Sequence, residues 1–267
     1  MVRVYLCKRA YREQIQVDNF VIMKDNFSRQ SDSYAKYRPA YPRELFDYIM
    51  THVNQRESAW DCATGNGQSA IELARYFEKV YATDSSQSQL DHAMKAGNIY
   101  YSRQAAEQTS FADHSFDLVT VSQALHWFRF DEFYKEVRRL LRPGGWLAVW
   151  TYSLLNISPA IDPIIEKYHF ETLAAYWDPE RRHVDQHYAS IPFPFDEIKT
   201  PAFSIELYWS LDELEGYFNT WSALQKLIAA NHYNPVSEII HSIRPLWTGK
   251  KMKIVFPLYL RIGRVET

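Results

Sequence analysis

Eight residues, Trp60-Asp61-Cys62-Ala63-Thr64-Gly65-Asn66-Gly67, constrain the fold of this chain more than any other stretch. A short strand-like run, Ala59 to Cys62, meets a glycine turn. A helical pattern follows, with Ile71, Leu73, Ala74 and Phe77 as its apolar side. Strand, glycine turn and helix in that order let backbone amides approach a nucleotide closely. Gly65 and Gly67 put no Cβ in the way and accept positive φ. The next strand-like run, Lys79 to Ala82, leads to Asp84. A carboxylate at that strand end can accept hydrogen bonds from both hydroxyls of a ribose.

Two cofactors use this layout. Gly65 to Ala70 reads as GxGxxA, the nicotinamide dinucleotide fingerprint. The same residues read as Asp-x-Ala-x-Gly-x-Gly with Asp61 at the strand end, a form that suits S-adenosylmethionine. That cofactor has no pyrophosphate but carries an ammonium that an acid beside the loop can meet. The glycine turn by itself does not choose between them.

The remainder of the chain predicts alternating strands and helices. Pro39 and Pro42 set up a helix from about Arg43, with Leu45, Phe46, Ile49 and Val53 on its buried face. Ser86 caps a helix to about Ala96, with Leu90 and Met94 as an apolar pair, and Asn98 to Arg103 is a strand. Phe116 to Val121 is nearly all apolar and suits a central parallel position. It runs into Ser122-Gln123-Ala124-Leu125-His126-Trp127-Phe128, where ligands gather at strand carboxyl ends. Asp131 is expected to cap a helix that Arg142-Pro143-Gly144-Gly145 stops, and Trp146 to Thr151 is a strand. A helix over about 160–175 and an aromatic excursion from Trp177 to Phe195 follow. Ala202 to Trp209 is a strand, and Ser210-Leu211-Asp212-Glu213 is a capping box that opens a long helix through Trp221 and Ile228. A further helix near Val236 to Ile243 precedes a last strand, Lys253 to Ile262. Residues 1–22 read differently, with charges breaking every apolar run. They are expected to be an upstream extension, consistent with a misassigned start before Met23. Residues 23–267 then form a single domain with a pocket-forming insertion around 156–200.

Composition narrows the partners. Thirty basic against 32 acidic residues, with no long basic run, make nucleic acid a poor expectation. No apolar run approaches the roughly 18 residues of a membrane helix. Two cysteines, Cys7 and Cys62, make no disulfide framework and fit a reducing cytoplasm. No cluster has metal-ligand spacing. An aromatic share of 16% hints at an aromatic-lined pocket.

Taken together, six motifs resemble the class I S-adenosylmethionine-dependent methyltransferases, in the form of the type 11 methyltransferase domain. The motifs are Tyr34 to Pro42, Asp61 to Gly67, the strand-end Asp84, Ser115 to Val119 leading into Ala124 to Phe128, Leu141 to Gly145, and Thr220 to Ala223 with the last strand. Within that family the chain looks most like the small-molecule branch that includes trans-aconitate methyltransferase. The resemblance implies a Rossmann-like, doubly wound α/β fold. Its mostly parallel sheet would have seven strands, helices on both faces and a C-terminal antiparallel strand. It also implies methyl transfer to a small-molecule acceptor, at an oxygen, with a carboxylate as one candidate. A nicotinamide-dependent oxidoreductase and a non-catalytic cofactor-binding protein are the alternatives. The family's commonest loop has glycine where Ala63 stands.

Residue roles follow from the same resemblance. Asp61 would meet the methionine ammonium, and Ala63, Gly65, Asn66 and Gly67 would line the methionine and ribose. Asp84 and Ser85 would serve the ribose, Ala106 and Glu107 the adenine, and Ser122, Gln123 and Tyr37 the remaining cofactor surface. His126 would be a general base or orient the acceptor oxygen. Tyr34, Arg38, Trp127 and Trp221 would form the acceptor pocket, with the arginine fork matched to a carboxylate. No metal is implied.

Overall fold

The structure, a computed structural model, describes residues 37–265. The extension 1–22, Cys7 and Tyr34 lie outside the described residues. A leading helix α1 (Arg43–Met50) precedes the alternation β1 (Ser58–Cys62), α2 (Gln68–Leu73), β2 (Lys79–Asp84), α3 (Gln87–Asp91) and β3 (Ile99–Arg103). Then come β4 (Phe116–Ser122), a 3-10 turn (Leu125–Trp127), α4 (Phe130–Leu140) and β5 (Leu141–Tyr152). The insertion contributes α5 (Asp162–Lys167), a π-turn (Tyr168–Thr172), α6 (Arg181–Asp185) and β6 (Asp196–Ile198). The chain closes with β7 (Phe203–Trp209), α7 (Leu211–Asn219), α8 (Ser222–Asn231), α9 (Val236–Ile243) and β8 (Met252–Arg264).

Strand order is β3-β2-β1-β4-β5-β8-β6, with β7 also paired to β8. Strands β1 to β5 are parallel, and β8 runs antiparallel to β5, β6 and β7. The order reverses between β1 and β4, the crevice where ligands bind in such sheets. Both faces are covered. One core packs α1, α2 and the C-terminal helices on the sheet, and the other packs α4 with Val184, Tyr188 and Ile191 of the insertion. The doubly wound expectation holds. Among the described residues there are eight strands rather than seven, because three residues inside the insertion, Asp196–Ile198, pair with the end of β8.

Strand β8 is long enough to be shared. Its Met252–Leu258 half pairs with β7, and its Ile262–Arg264 end pairs with β6. Between them Arg261 fastens the insertion. Its guanidinium forms two 2.8 Å bonds to the Glu197 carboxylate and donates to the carbonyls of Tyr188 (2.9 Å) and Ile191 (2.7 Å). At the amino ends of the strands, the buried Asp117 accepts from the amides of Glu57 (2.9 Å) and Ser58 (3.0 Å) and from Arg142 (2.7 Å). One carboxylate thereby ties the starts of β1, β4 and β5 together.

Four local expectations need correcting. Helix α3 ends at Asp91, not Ala96, because the Met94 amide donates to the Asn66 carbonyl at 3.0 Å; the chain leaves the helix to brace the glycine turn. Met94 is therefore exposed rather than paired with Leu90. The N-cap of α4 is Arg129, and Asp131 lies in the first turn, where its charge favours the helix N-terminus. The expected helix over 160–175 is α5 followed by the π-turn. The long C-terminal helix breaks between α7 and α8. There the Thr220 hydroxyl bonds back to the Tyr217 carbonyl at 2.7 Å, and extended backbone at Trp221 drives its ring into the core. The Ser210–Glu213 capping box is present as expected.

Candidate active site

The glycine turn is shaped by left-handed backbone and two acids. Ala63 (φ +52°), Gly65 (φ +56°) and Gly67 (φ +83°) all lie in the left-handed region. Ala63 therefore adopts a conformation that disfavours a side chain. At Gly67, in left-handed backbone, a Cβ would meet the Tyr101 hydroxyl at 2.3 Å, so any side chain there must displace that hydroxyl. Tyr101 is itself held by donating to the Met94 carbonyl at 2.6 Å. Asp84 accepts from the Gly65 amide (2.9 Å) and the Ser86 amide (2.8 Å), which fixes its carboxylate over the turn. Next to it, Ser85 gives its carbonyl to Arg103.

Asp61 is fully buried. Its carboxylate accepts from the hydroxyls of Thr64 and Thr120, the latter at 2.7 Å. Thr120 can reach it because the parallel register sets Thr120 directly beside Asp61, in a row with Ala82 and Tyr101. Burial pushes the Asp61 carboxyl up to about 6, against the partial relief of the two threonine bonds, and nearby Asp84 raises it further. No cation is among the groups that shift it most. A buried acid in that condition is suited to a cationic ligand group. An ammonium and a ribose diol thus have Asp61 and Asp84 to meet, so this donor set fits S-adenosylmethionine.

At the end of β4, Ser122 lies 3.0 Å from Ser69 of α2, hydroxyl to hydroxyl. Gln123 is another non-glycine residue in the left-handed region (φ +53°). Its amide group is held from both sides, accepting from Thr151 and donating to the Tyr152 carbonyl at 3.3 Å. His126 is buried, with Nδ1 2.9 Å from the Tyr188 hydroxyl. Burial, then the Arg181 guanidinium, push its imidazole down to about 3. It is neutral at pH 7 and a weak base. Trp127 is half-buried, its ring 4.8 Å from that of His126.

Of the residues expected to form the acceptor pocket, Arg38 and Trp221 share an aromatic wall. Arg38 donates to the Tyr152 hydroxyl at 2.9 Å and lies 5.6 Å from the Tyr217 ring. Trp221 is buried in the same aromatic wall, 5.8 Å from Tyr217. Tyr37 lies against Gly216 of α7, where a Cβ would come within 2.5 Å of its ring. Of the two residues expected at adenine, Ala106 is buried and Glu107 accepts from the Arg129 amide at 3.1 Å, at the N-terminus of α4. No group of His, Cys, Asp or Glu among the described residues could hold a metal ion.

Sequence reasoning missed Thr64, Thr120, Tyr101, Tyr152 and Tyr188. Thr64 lies within the motif and Thr120 opposite Asp61. An acid on a buried strand needs donors on its neighbours, and that requirement was the available signal.

Comparison with known proteins agrees with this geometry. A family model described as a methyltransferase domain matches residues 60–149. A Dictyostelium discoideum protein that carries a methyltransferase name is 34% identical over 251 residues, covering 91% of this chain and 95% of that protein. A Saccharomyces cerevisiae protein named as an S-adenosylmethionine-dependent methyltransferase is 29% identical, over 48% of this chain and 47% of its own length. A solved structure from Anaeromyxobacter dehalogenans, described as a type II methyltransferase, has a TM-score of 0.81 at 35% identity, covering 86% of this chain and all of that one. The nicotinamide reading finds no support in these likenesses. By sequence, fold and site the chain belongs to the class I S-adenosylmethionine-dependent methyltransferases.

Proposed function

We propose that the chain methylates a carboxylate oxygen of a small organic acid, within the branch that includes trans-aconitate methyltransferase. The observation that carries this reading is the state of His126. A histidine buried against Tyr188, with its basicity pushed down to about 3, is ill suited to take a proton from a hydroxyl or amine acceptor. A carboxylate is already ionised at neutral pH and needs no base. Arg38, fixed on Tyr152 at the edge of the aromatic wall, supplies a fork for a carboxylate.

The bound cofactor supplies a methyl group on a cationic sulfur. Asp61 would hold the ammonium, Asp84 the ribose diol, and Ser122 with Gln123 would line the methyl-transfer end. Ala63, Asn66 and Tyr37 would complete the cofactor's surroundings. Tyr34, Trp127 and Trp221 would wall the acceptor, and His126 would orient it rather than deprotonate it. Attraction between carboxylate and sulfonium is strongest where water is excluded, so dry aromatic walls favour the reaction; alignment contributes the rest. Among the described residues no helix is long and apolar enough to cross a membrane, and Cys62 is a free buried thiol.

The test has two stages. Calorimetry with S-adenosylhomocysteine and with NAD checks the cofactor, and binding of the first alone is expected. Labelled S-adenosylmethionine is then offered with panels of small acids, phenols and amines. The expected product is a methyl ester, which releases its label on mild alkaline hydrolysis. Label retained after alkali, on an ether or amine, would refute the carboxylate reading.

A further inference from the structure

Among the described residues, the π-turn Tyr168–Thr172 has two buried polar atoms with no hydrogen-bond partner: the Tyr168 hydroxyl and Nδ1 of His169. Both side chains are only 1% exposed. Native structures rarely leave such groups unsatisfied, and each one calls for an explanation. Single π-turns within helices are also frequent at functional sites. This one is closed by the Leu173 amide donating to the Tyr168 carbonyl at 3.0 Å.

The two atoms have complementary chemistry. His169 Nε2 lies 3.3 Å from Asp185, whose other close partner is Arg181 at 3.1 Å. Burial lowers the basicity of His169, while Asp185 is held ionised by His169 and Arg181 against its own burial. A neutral imidazole facing a carboxylate carries its proton on the nitrogen that faces it. The proton is therefore on Nε2, and Nδ1 is a bare lone pair that can only accept. The Tyr168 hydroxyl, with no partner, is available to donate. Both rings pack on Trp221. Tyr168 stacks at 5.6 Å and 20°, and His169 meets it edge-on at 5.5 Å. Trp221 in turn meets Tyr217, over which Arg38 lies. One aromatic wall therefore runs from a guanidinium to both side chains.

We propose that Tyr168 and His169 form the far end of the acceptor pocket and recognise a hydroxyl or N–H carried by the acid that is methylated. The inference rests on the small-acid reading above and narrows it to acids with an uncharged hydrogen-bonding group remote from the carboxylate. His169 accepts from that group, Tyr168 donates to it, and Asp185 is the positioning residue that sets the imidazole tautomer. Neither atom is accessible while the turn is closed, so the acceptor must displace the turn to reach them.

Two measurements on the full chain test this. In thermal unfolding, Tyr168→Phe removes only the unpartnered hydroxyl, so Tm should hold or rise; a fall of several degrees would show that the hydroxyl is already bonded and would overturn the proposal. In turnover with labelled cofactor, matched small acids with and without a hydroxyl are compared. Wild type should favour the hydroxylated partner by at least about 100-fold, in line with sites built to bind a hydroxyl. His169→Phe should reduce that preference to within about 5-fold with S-adenosylhomocysteine affinity unchanged. His169→Asn, which keeps a polar atom near Nδ1, should retain part of it. Equal methylation of both acids by wild type, or an undiminished preference in His169→Phe, overturns the inference while leaving carboxylate methylation standing. Failure to methylate any acid overturns both.

Discussion

Asp61 offers the most direct test of how burial is coupled to cofactor binding. Its folded carboxyl stands at about 6 against an ordinary 3.8, chiefly through burial. The folded protein therefore retains a proton between pH 4 and 6 that the unfolded chain has lost. Stability from this group is present below pH 4 and is lost as pH rises through 6. The gap amounts to about 3 kcal/mol. Other carboxylates drift in the opposite sense, so the effect is read as a difference between wild type and Asp61→Asn, which does not titrate. Urea unfolding at intervals from pH 4 to 7 should show wild type losing about 3 kcal/mol relative to the variant. Binding runs the other way. If only the ionised form pairs with the cofactor's ammonium, S-adenosylhomocysteine affinity of wild type should weaken about tenfold from pH 7 to pH 5. The same titration of Asp61→Asn should be nearly flat. A stability difference that changes by less than about 1 kcal/mol across the window would refute the argument, because it would mean the Thr64 and Thr120 bonds already compensate the burial.

Other substitutions test separate parts of the site. Ala63→Gly, at φ +52°, should stabilise the protein by about 0.5–1 kcal/mol in urea unfolding, the reverse of the usual glycine penalty. Gly67→Ala should cost about 2–3 kcal/mol by the same assay, from its left-handed backbone and the displaced Tyr101 hydroxyl. In a Tyr101→Phe background the cost should shrink by about 1 kcal/mol, because the nearest ring carbon lies at 3.3 Å. Asp117→Ala should destabilise by about 2–3 kcal/mol while sparing cofactor affinity per folded molecule, since it leaves the Glu57 and Ser58 amides without their acceptor at the end of the sheet away from the crevice, Arg142 keeping Glu57 at 3.1 Å. Asp84→Ala should weaken S-adenosylhomocysteine binding at least about tenfold by calorimetry, the worth of one charge-assisted hydrogen bond.

The parts of this architecture that were legible in the sequence are those governed by local pattern. The apolar run at Phe116, the glycine turn after Cys62 and the Ser210 capping box each specify their own backbone. What escaped depends on partners distant along the chain. Met94 has the spacing of a helix residue, yet its amide is taken by Asn66. Glu107 accepts from the Arg129 amide, a partner that no spacing rule anticipates. Thr120 reaches Asp61 only through strand register, and Tyr188 reaches His126 only because the insertion folds back across the second core. His126 reads in sequence as a base or as a group that orients the acceptor, and its burial, which lowers its basicity, is beyond a linear reading.

The shared strand β8 has a consequence for how such a chain can diversify. The insertion is sewn to the scaffold along one seam, with a short strand at one end, a long strand at the other and the Arg261 guanidinium between them. Everything between those stitches can be recut while the glycine turn and its two acids stay untouched. If the proposed acceptor pocket is right, a chimaera that exchanges residues 153–202 for the matching segment of a homologue, keeping the Arg261–Glu197 pair, should change its choice of acceptor and keep its methyl donor site.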